Sequence, residues 1–209
     1  MVYIGFFVIN LAKYKSTTAS PKIIKRMHIR KTKIEGLVEL YPDVFKDDRG
    51  YFLETYHVDK FSSLGLAYNF VQANQSFSKK GVLRGLHFQN PPYAQGKLVR
   101  VVSGKVLDVV VDLRPGSPTY GDHKKFLLEG NKSNMLYVPE GFAHGFLTLE
   151  DAHFAYQCTN VYNKASESGI IWNDPELNID WELQKYEIEH PIVSEKDLLL
   201  PTFQEIAKQ

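Results

Sequence analysis

The sequence predicts a mainly β protein: one sandwich or barrel of short strands, for which the jelly roll is one solution. Three observations carry that expectation. Short apolar runs recur from Ile34 onward and are separated by Gly and Pro turns. The segment Phe154–Thr159 alternates as a strand with one buried face does, and helical patterning is confined to two short stretches. A length of 209 residues suits one domain, at roughly 150 residues per domain.

Residues 1–26 stand apart from this pattern. The apolar run Tyr3–Leu11 is far shorter than the ~20 residues needed to span a bilayer. No basic stretch precedes it and no small-residue cleavage site follows, which argues against a secretory signal. Residues 12–26 are rich in Lys, Ser and Thr. Together they are expected to form a disordered or dispensable extension, such as an upstream start codon would add, with the domain spanning 27–209. Within the domain, Leu98–Val102 and Val106–Leu113 flank Ser103-Gly104-Lys105, which reads as a hairpin. Asn134–Val138 and Phe146–Leu149 are further strands, broken by Pro139-Glu140-Gly141. Val58–Leu64 and Thr202–Ala207, the latter after Pro201, are the helical candidates.

Composition narrows the function. Twenty-five basic side chains against 24 acidic ones leave a net charge of +1, so no electrostatic case exists for a nucleic-acid or membrane partner. Any anionic ligand must be held by a local basic cluster. Cys158 is the sole cysteine. That excludes a disulfide framework and fits a reducing cytosol, with Cys158 expected to pack as a small strand residue.

The chemistry concentrates in two segments. In Gly81-Val82-Leu83-Arg84-Gly85-Leu86-His87-Phe88-Gln89 a Gly is followed after five residues by a His. In Pro139-Glu140-Gly141-Phe142-Ala143-His144 the pattern is Pro-x-Gly-x-x-His. These resemble the two halves of the cupin signature, and a small barrel would bring both histidines to one mouth. Metal-binding cupins carry a second His two residues after the first and then a Glu. Here that position is Gln89 and no Glu precedes Lys97, which leaves a poor ligand set, so neither a metal nor another cofactor is expected. An acid–base site remains. A neutral His, with an ordinary pKa of ~6.5, is suited to take a proton at physiological pH. Arg84 and Lys97 are basic groups close to His87 in sequence, as an anionic substrate would require, although Lys97 also reads as surface charge.

These residues carry a family resemblance. Val82–Gln89, Gln95-Gly96-Lys97-Leu98-Val99-Arg100 and Pro139–Phe146 are similar to the dTDP-4-dehydrorhamnose 3,5-epimerases. So are Phe45-Lys46-Asp47-Asp48-Arg49-Gly50-Tyr51-Phe52, Ile171-Trp172-Asn173-Asp174 and Ser194-Glu195-Lys196-Asp197. The likeness runs in order from about Met27 to the C-terminus. It implies a cupin-like jelly roll, a dTDP-linked 4-keto-6-deoxy sugar as substrate, and a homodimer. It implies His87 as the base and Asp197 as its dyad partner, with Asp108 a second possible partner. Tyr156 matches the proton donor, with Tyr162 an alternative close by. Lys97 and His144 match positions near the sugar, and Lys97 is the better candidate to stabilise enolate charge. Arg49, Glu54, Gln72, Asn74, Arg84, Glu167 and Lys196 match substrate-binding positions, with Ala73 contributing backbone only. Tyr51 and Phe52 suit either stacking on the base or barrel packing. A single-site 3- or 5-epimerase uses the same groups. From other classes, a metal-dependent oxygenase is disfavoured by Gln89, and a silent binding module by the presence of both base and acid candidates.

Overall fold

Two long antiparallel strands, Lys97–Asp112 and Phe142–Cys158, run side by side and organise everything else. The computed structural model describes residues 27–66 and 69–208, so the expectation for residues 1–26 lies outside the described residues. In chain order the elements are β1 (His28–Lys31), β2 (Val38–Tyr41), β3 (Val44–Asp47), β4 (Gly50–Leu53) and helix α1 (Val58–Ser63). Then come β5 (Gln72–Ser78), β6 (Leu83–Gln89), β7 (Lys97–Asp112), β8 (His123–Glu129), β9 (Met135–Val138) and β10 (Phe142–Cys158). β11 (Glu167–Gly169) and the short helices α2 (Glu195–Leu198) and α3 (Phe203–Ala207) follow.

The main sheet has the order β1-β2-β9-β7-β10-β6-β11, with β5 also on β10 and β8 also on β7. The first half of β7 pairs with β9 and its second half with β8. In the same way β10 pairs first with β6 and then with β5. The β7–β10 ribbon therefore belongs to two layers, bending where its register shifts between Thr148 and Phe154. This is the mainly β, cupin-like jelly roll that the strand pattern and motifs predict.

One local expectation is corrected. Ser103-Gly104-Lys105 is not a hairpin turn but the middle of β7. Gly104 adopts φ +84°, and a Cβ there would lie 2.1 Å from the Asp151 carbonyl oxygen of β10. A glycine inside a strand run can signal a bulge or a close backbone approach as well as a turn. Phe146–Leu149 and Phe154–Cys158 likewise belong to one strand, β10.

The apolar run of β7 has a simple cause. Val106 and Val110 face the inner cluster with Val99, Phe146 and Phe154, while Leu107, Val109 and Val111 face a second cluster with Leu177, Trp181 and Phe203. A strand covered on both faces loses its alternation. Asp108 shares the parity of Val106 and Val110, so its carboxylate is carried to the inner side. A third cluster, with Met27, Leu40, Phe61, Leu98 and Met135, lies beneath α1.

Both expected helices form, and Thr202 and Glu205 close a capping box on α3. Helix α2, capped by Ser194, was too short to show a helical period. The β3–β4 hairpin forms a sheet of its own. Tyr51 and Phe52 on it are 61% and 67% exposed, so barrel packing is not their role. Among the described residues no helix is long and apolar enough to cross a membrane.

Candidate active site

The two motif histidines meet in one cavity of about 190 Å³, lined also by Arg84, Lys97 and Tyr156. Arg84 and His87 are three apart on β6, and in a regular strand an odd spacing places side chains on opposite faces. The register against β10 shifts between them, with His87 across from His144 but Arg84 across from Phe146. Gly85, at φ +117°, makes that bulge possible, since a Cβ there would sit 2.6 Å from the Gly145 Cα.

His87 is half-buried, and its Nε2 lies 2.8 Å from Asp197 Oδ1. The other carboxylate oxygen accepts from the Gly85 N–H at 3.2 Å. Burial would raise the Asp197 pKa, but the hydrogen bond and charge of His87, with help from Gly85 and Ser194, hold it below the usual carboxylate range. Asp197 is thus an ionised, oriented partner for the ring. Asp108, the other candidate, is not the partner of His87. It is fully buried and pairs with His144, Oδ2 to Nε2 at 2.8 Å. Burial pushes its carboxyl up, partly offset by His144 and Lys97.

Tyr156 reaches the cavity from the half of β10 paired with β5, whereas His87 comes from the other layer. Burial raises its phenol above the ordinary tyrosine range. Lys97 opens β7, and burial lowers its ammonium pKa against the opposing pull of Cys158, Asp108 and Glu167. Lys97 is therefore a cavity cation and not scattered surface charge. Tyr162 is directed elsewhere, donating its hydroxyl to Glu167 at 2.9 Å while its ring is about half exposed.

The remaining predicted residues divide into three groups. Gln72, Ala73 and Asn74 lie along β5, and Asn74 stands across from Tyr156. Ala73 and Asn74 line a second pocket of about 320 Å³ that shares Tyr156 with the first. Arg84 directs its Nε to Ser78 at 3.0 Å, and Glu167 pairs with Lys196 at 2.6 Å beside the Asp197 helix. Arg49 and Glu54 line neither pocket. Arg49 is 90% exposed and pairs with Asp47, while Glu54 pairs with Lys60 at 2.7 Å. Cys158 is a buried strand residue, as expected, and its sulfur receives the Asn74 amide at 3.8 Å. Sequence reasoning overlooked Ser78, whose hydroxyl aligns Arg84, and the only signal for it was its place in an alternating strand.

The donor set does not suit a metal. Gln89, standing where a metal-binding cupin places its second His, donates to the Tyr93 and Val161 carbonyls at 2.6 and 3.1 Å. Its oxygen accepts from the Asn163 N–H at 2.8 Å. Both ends of the amide are thus committed to loop backbone. Among the described residues no three His, Cys, Asp or Glu side chains gather as ligands would.

A jelly-roll barrel with a carboxylate-oriented histidine, a half-buried phenol and a half-buried cation around one cavity defines an isomerase that works by moving protons. Comparison with known proteins is specific. Residues 31–205 match the family described as dTDP-4-dehydrorhamnose 3,5-epimerase. The chain is 47% identical over 174 residues to the dTDP-4-dehydrorhamnose 3,5-epimerase of Shigella flexneri, covering 82% of this chain and 93% of that protein. The crystal structure of the Elizabethkingia anophelis dTDP-4-dehydrorhamnose 3,5-epimerase superposes with a TM-score of 0.80 at 46% identity, covering 86% of this chain and 98% of that one. The dTDP-6-deoxy-D-glucose-3,5-epimerase of Legionella pneumophila, solved in complex with dTDP-4-keto-L-rhamnose, gives 0.82 at 43% identity over 87% and 95%. The chain belongs to the dTDP-4-dehydrorhamnose 3,5-epimerase family.

Proposed function

We propose that this protein converts dTDP-4-dehydro-6-deoxy-D-glucose to dTDP-4-dehydro-L-rhamnose by inverting C3 and C5. The observation that carries the reading is the convergence of His87–Asp197, Tyr156 and Lys97 on one cavity. The C4 carbonyl acidifies the C–H bonds at C3 and C5, because the carbanion left behind is delocalised as an enolate. Inversion needs a base on one face, an acid on the other, and positive charge or a donor at the C4 oxygen. His87 takes the proton and Asp197 stabilises the imidazolium that results. Tyr156, whose raised pKa keeps its proton in place, returns one from the other layer. Lys97 and His144 serve the sugar oxygens, and the enolate charge falls to Lys97. No redox step occurs, so no cofactor is required.

Arg84, Gln72, Asn74, Glu167 and Lys196 are assigned to the nucleotide and sugar hydroxyls, with the guanidinium fork of Arg84 suited to a diphosphate. Arg49 and Glu54 serve the same site only if a second copy of the chain supplies them. The separate β3–β4 sheet, with exposed Tyr51 and Phe52 for a partner or for the base, supports a homodimer. A cytosolic location fits a chain whose lone cysteine is buried as a free thiol.

The deciding experiment mixes pure protein with the 4-keto sugar nucleotide in deuterated water and follows it by NMR. Deuterium at both C3 and C5, with the L-rhamno product, is expected. Exchange confined to one carbon would make the protein a single-site epimerase, and no exchange at either would leave only a binding role.

A further inference from the structure

Asp197 sits on a four-residue helix far too short to hold a carboxylate in place by itself, so its position must be set by the chain on either side. Upstream, Ile192 is bound into the edge of β6, its N–H donating to Gly81 at 2.8 Å and its carbonyl accepting from Leu83 at 2.9 Å. Downstream, the anchor is a ribbon that also controls His87. β11 pairs with β6 with Gly169 across from His87, and Ile170 continues the pairing with two bonds to Leu86. The next residue, Ile171, donates its N–H to Pro201 at 2.9 Å. Three residues further on, Asp174 accepts from the Phe203 N–H at 2.8 Å through Oδ2. Its Oδ1 accepts from Glu176 and Leu177 at 3.0 and 2.9 Å, and the side chain is 3% exposed.

We propose that Asp174 is a positioning residue for the His87–Asp197 pair. The ribbon 167–174 holds the strand of the base at one end and the returning C-terminal segment at the other. Asp174 clamps that segment six residues beyond Asp197. Its two oxygens do separate work: one shapes the local turn, and the other fixes the start of α3 and so the span over which Asp197 must reach His87. The proposal rests on reading His87–Asp197 as the working acid–base pair.

The test is a double-mutant cycle between Asp174→Asn and Asp197→Asn, read as kcat and KM. Asparagine keeps one acceptor for the turn but sets an amide donor against the Phe203 N–H, so the clamp opens while the turn survives. Small misplacements of reacting groups reduce rates by up to ~10²-fold. Asp174→Asn is therefore expected to lower kcat by about 10- to 10²-fold with KM within about twofold. In the Asp197→Asn background the same change should alter kcat by less than about twofold, because the group it positions is gone. Equal losses in both backgrounds, or a loss confined to KM or to melting temperature, would overturn the proposal. If Asp197→Asn itself leaves kcat intact, it is the reading of the pair that fails. Asp174→Ser, which retains a turn acceptor too short for Phe203, repeats the cycle independently. Failure of both variants to fold would make Asp174 a residue of the fold and not of the site, and the proposal would fall.

Discussion

His144 on β10 stands directly across from His87 on β6, and each ring has a carboxylate of its own. Asp108 reaches His144 from β7, and Asp197 reaches His87 from α2. Strand order explains the division. β10 lies between β7 and β6, and Asp108 is across from Phe146, two residues from His144. A carboxylate on β7 therefore meets the nearer strand, and His87 must be served from the far side by the C-terminal segment. Two adjacent rings are thus held by separate partners.

His87→Ala should abolish both epimerisation and deuterium exchange at C3 and C5, because without a base no enolate forms. Tyr156→Phe should separate the two. It keeps the ring but removes the donor, so exchange persists at one carbon or both while inversion falls by at least ~10²-fold. Normal inversion of both centres in that variant would remove Tyr156 from the mechanism. Free exchange in His87→Ala would overturn the assignment of the base.

The alkaline limb of kcat should belong to Lys97. Burial lowers its pKa below that of an ordinary lysine, ~10.4, while burial raises both Tyr156 and Cys158. As pH rises, the ammonium loses its proton earlier than an ordinary lysine would, and the stabilisation assigned to it goes with it. In Lys97→Arg, whose guanidinium stays charged, the limb should move to higher pH on whatever turnover remains. An unmoved limb would show that another group sets it.

Acid stability should depend on Asp112, at the far end of β7. Its side chain is fully buried and accepts from Arg114, Ser117 and Thr119. Burial would raise its pKa, but these bonds outweigh it and hold the carboxyl far below the usual range. The folded value lies below the unfolded one, ~3.9, so its stabilisation is present above that pH and is lost as pH falls toward the folded value. Asp112→Asn should remove roughly 3 kcal/mol at neutral pH and flatten the decline of melting temperature below pH ~4. Parallel wild-type and mutant curves would show that the carboxylate contributes nothing specific.

Exhaustive chelation should leave turnover unchanged, since the Gln89 amide is committed to loop carbonyls and an N–H. Elemental analysis should find no stoichiometric iron, zinc or manganese. Turnover lost on chelation and restored by a single metal would reverse this reading.

A chain beginning at Met27 should keep its melting temperature and its turnover. Met27 is 6% exposed in the cluster with Leu40 and Phe61, so the packed domain includes it. A large drop in either quantity would show that residues 1–26 contribute to the folded protein or to a partner contact.

What the sequence determined by itself was local in its physics. Turn residues and alternation specified a β barrel, the helical stretches of α1 and α3 were readable, and the two histidine motifs carried the family resemblance. Period-two parity puts Asp108 on the same face of β7 as Val106 and Val110, and only the packing makes that face the inner one. Tertiary structure decided whatever depended on which strands lie side by side. Gly104, read from the sequence as part of a hairpin turn, lies inside β7 because the backbone of Asp151 on β10 approaches it closely. Arg84 and His87 share a cavity only because the bulge at Gly85 reverses the parity between them. The choice between Asp108 and Asp197 as partner of His87 spans 110 residues for the pair that forms, a separation at which no local preference acts. A carboxylate and an imidazole attract only within a few ångströms in a low-dielectric interior, so their pairing is set by the strand order that brings them there.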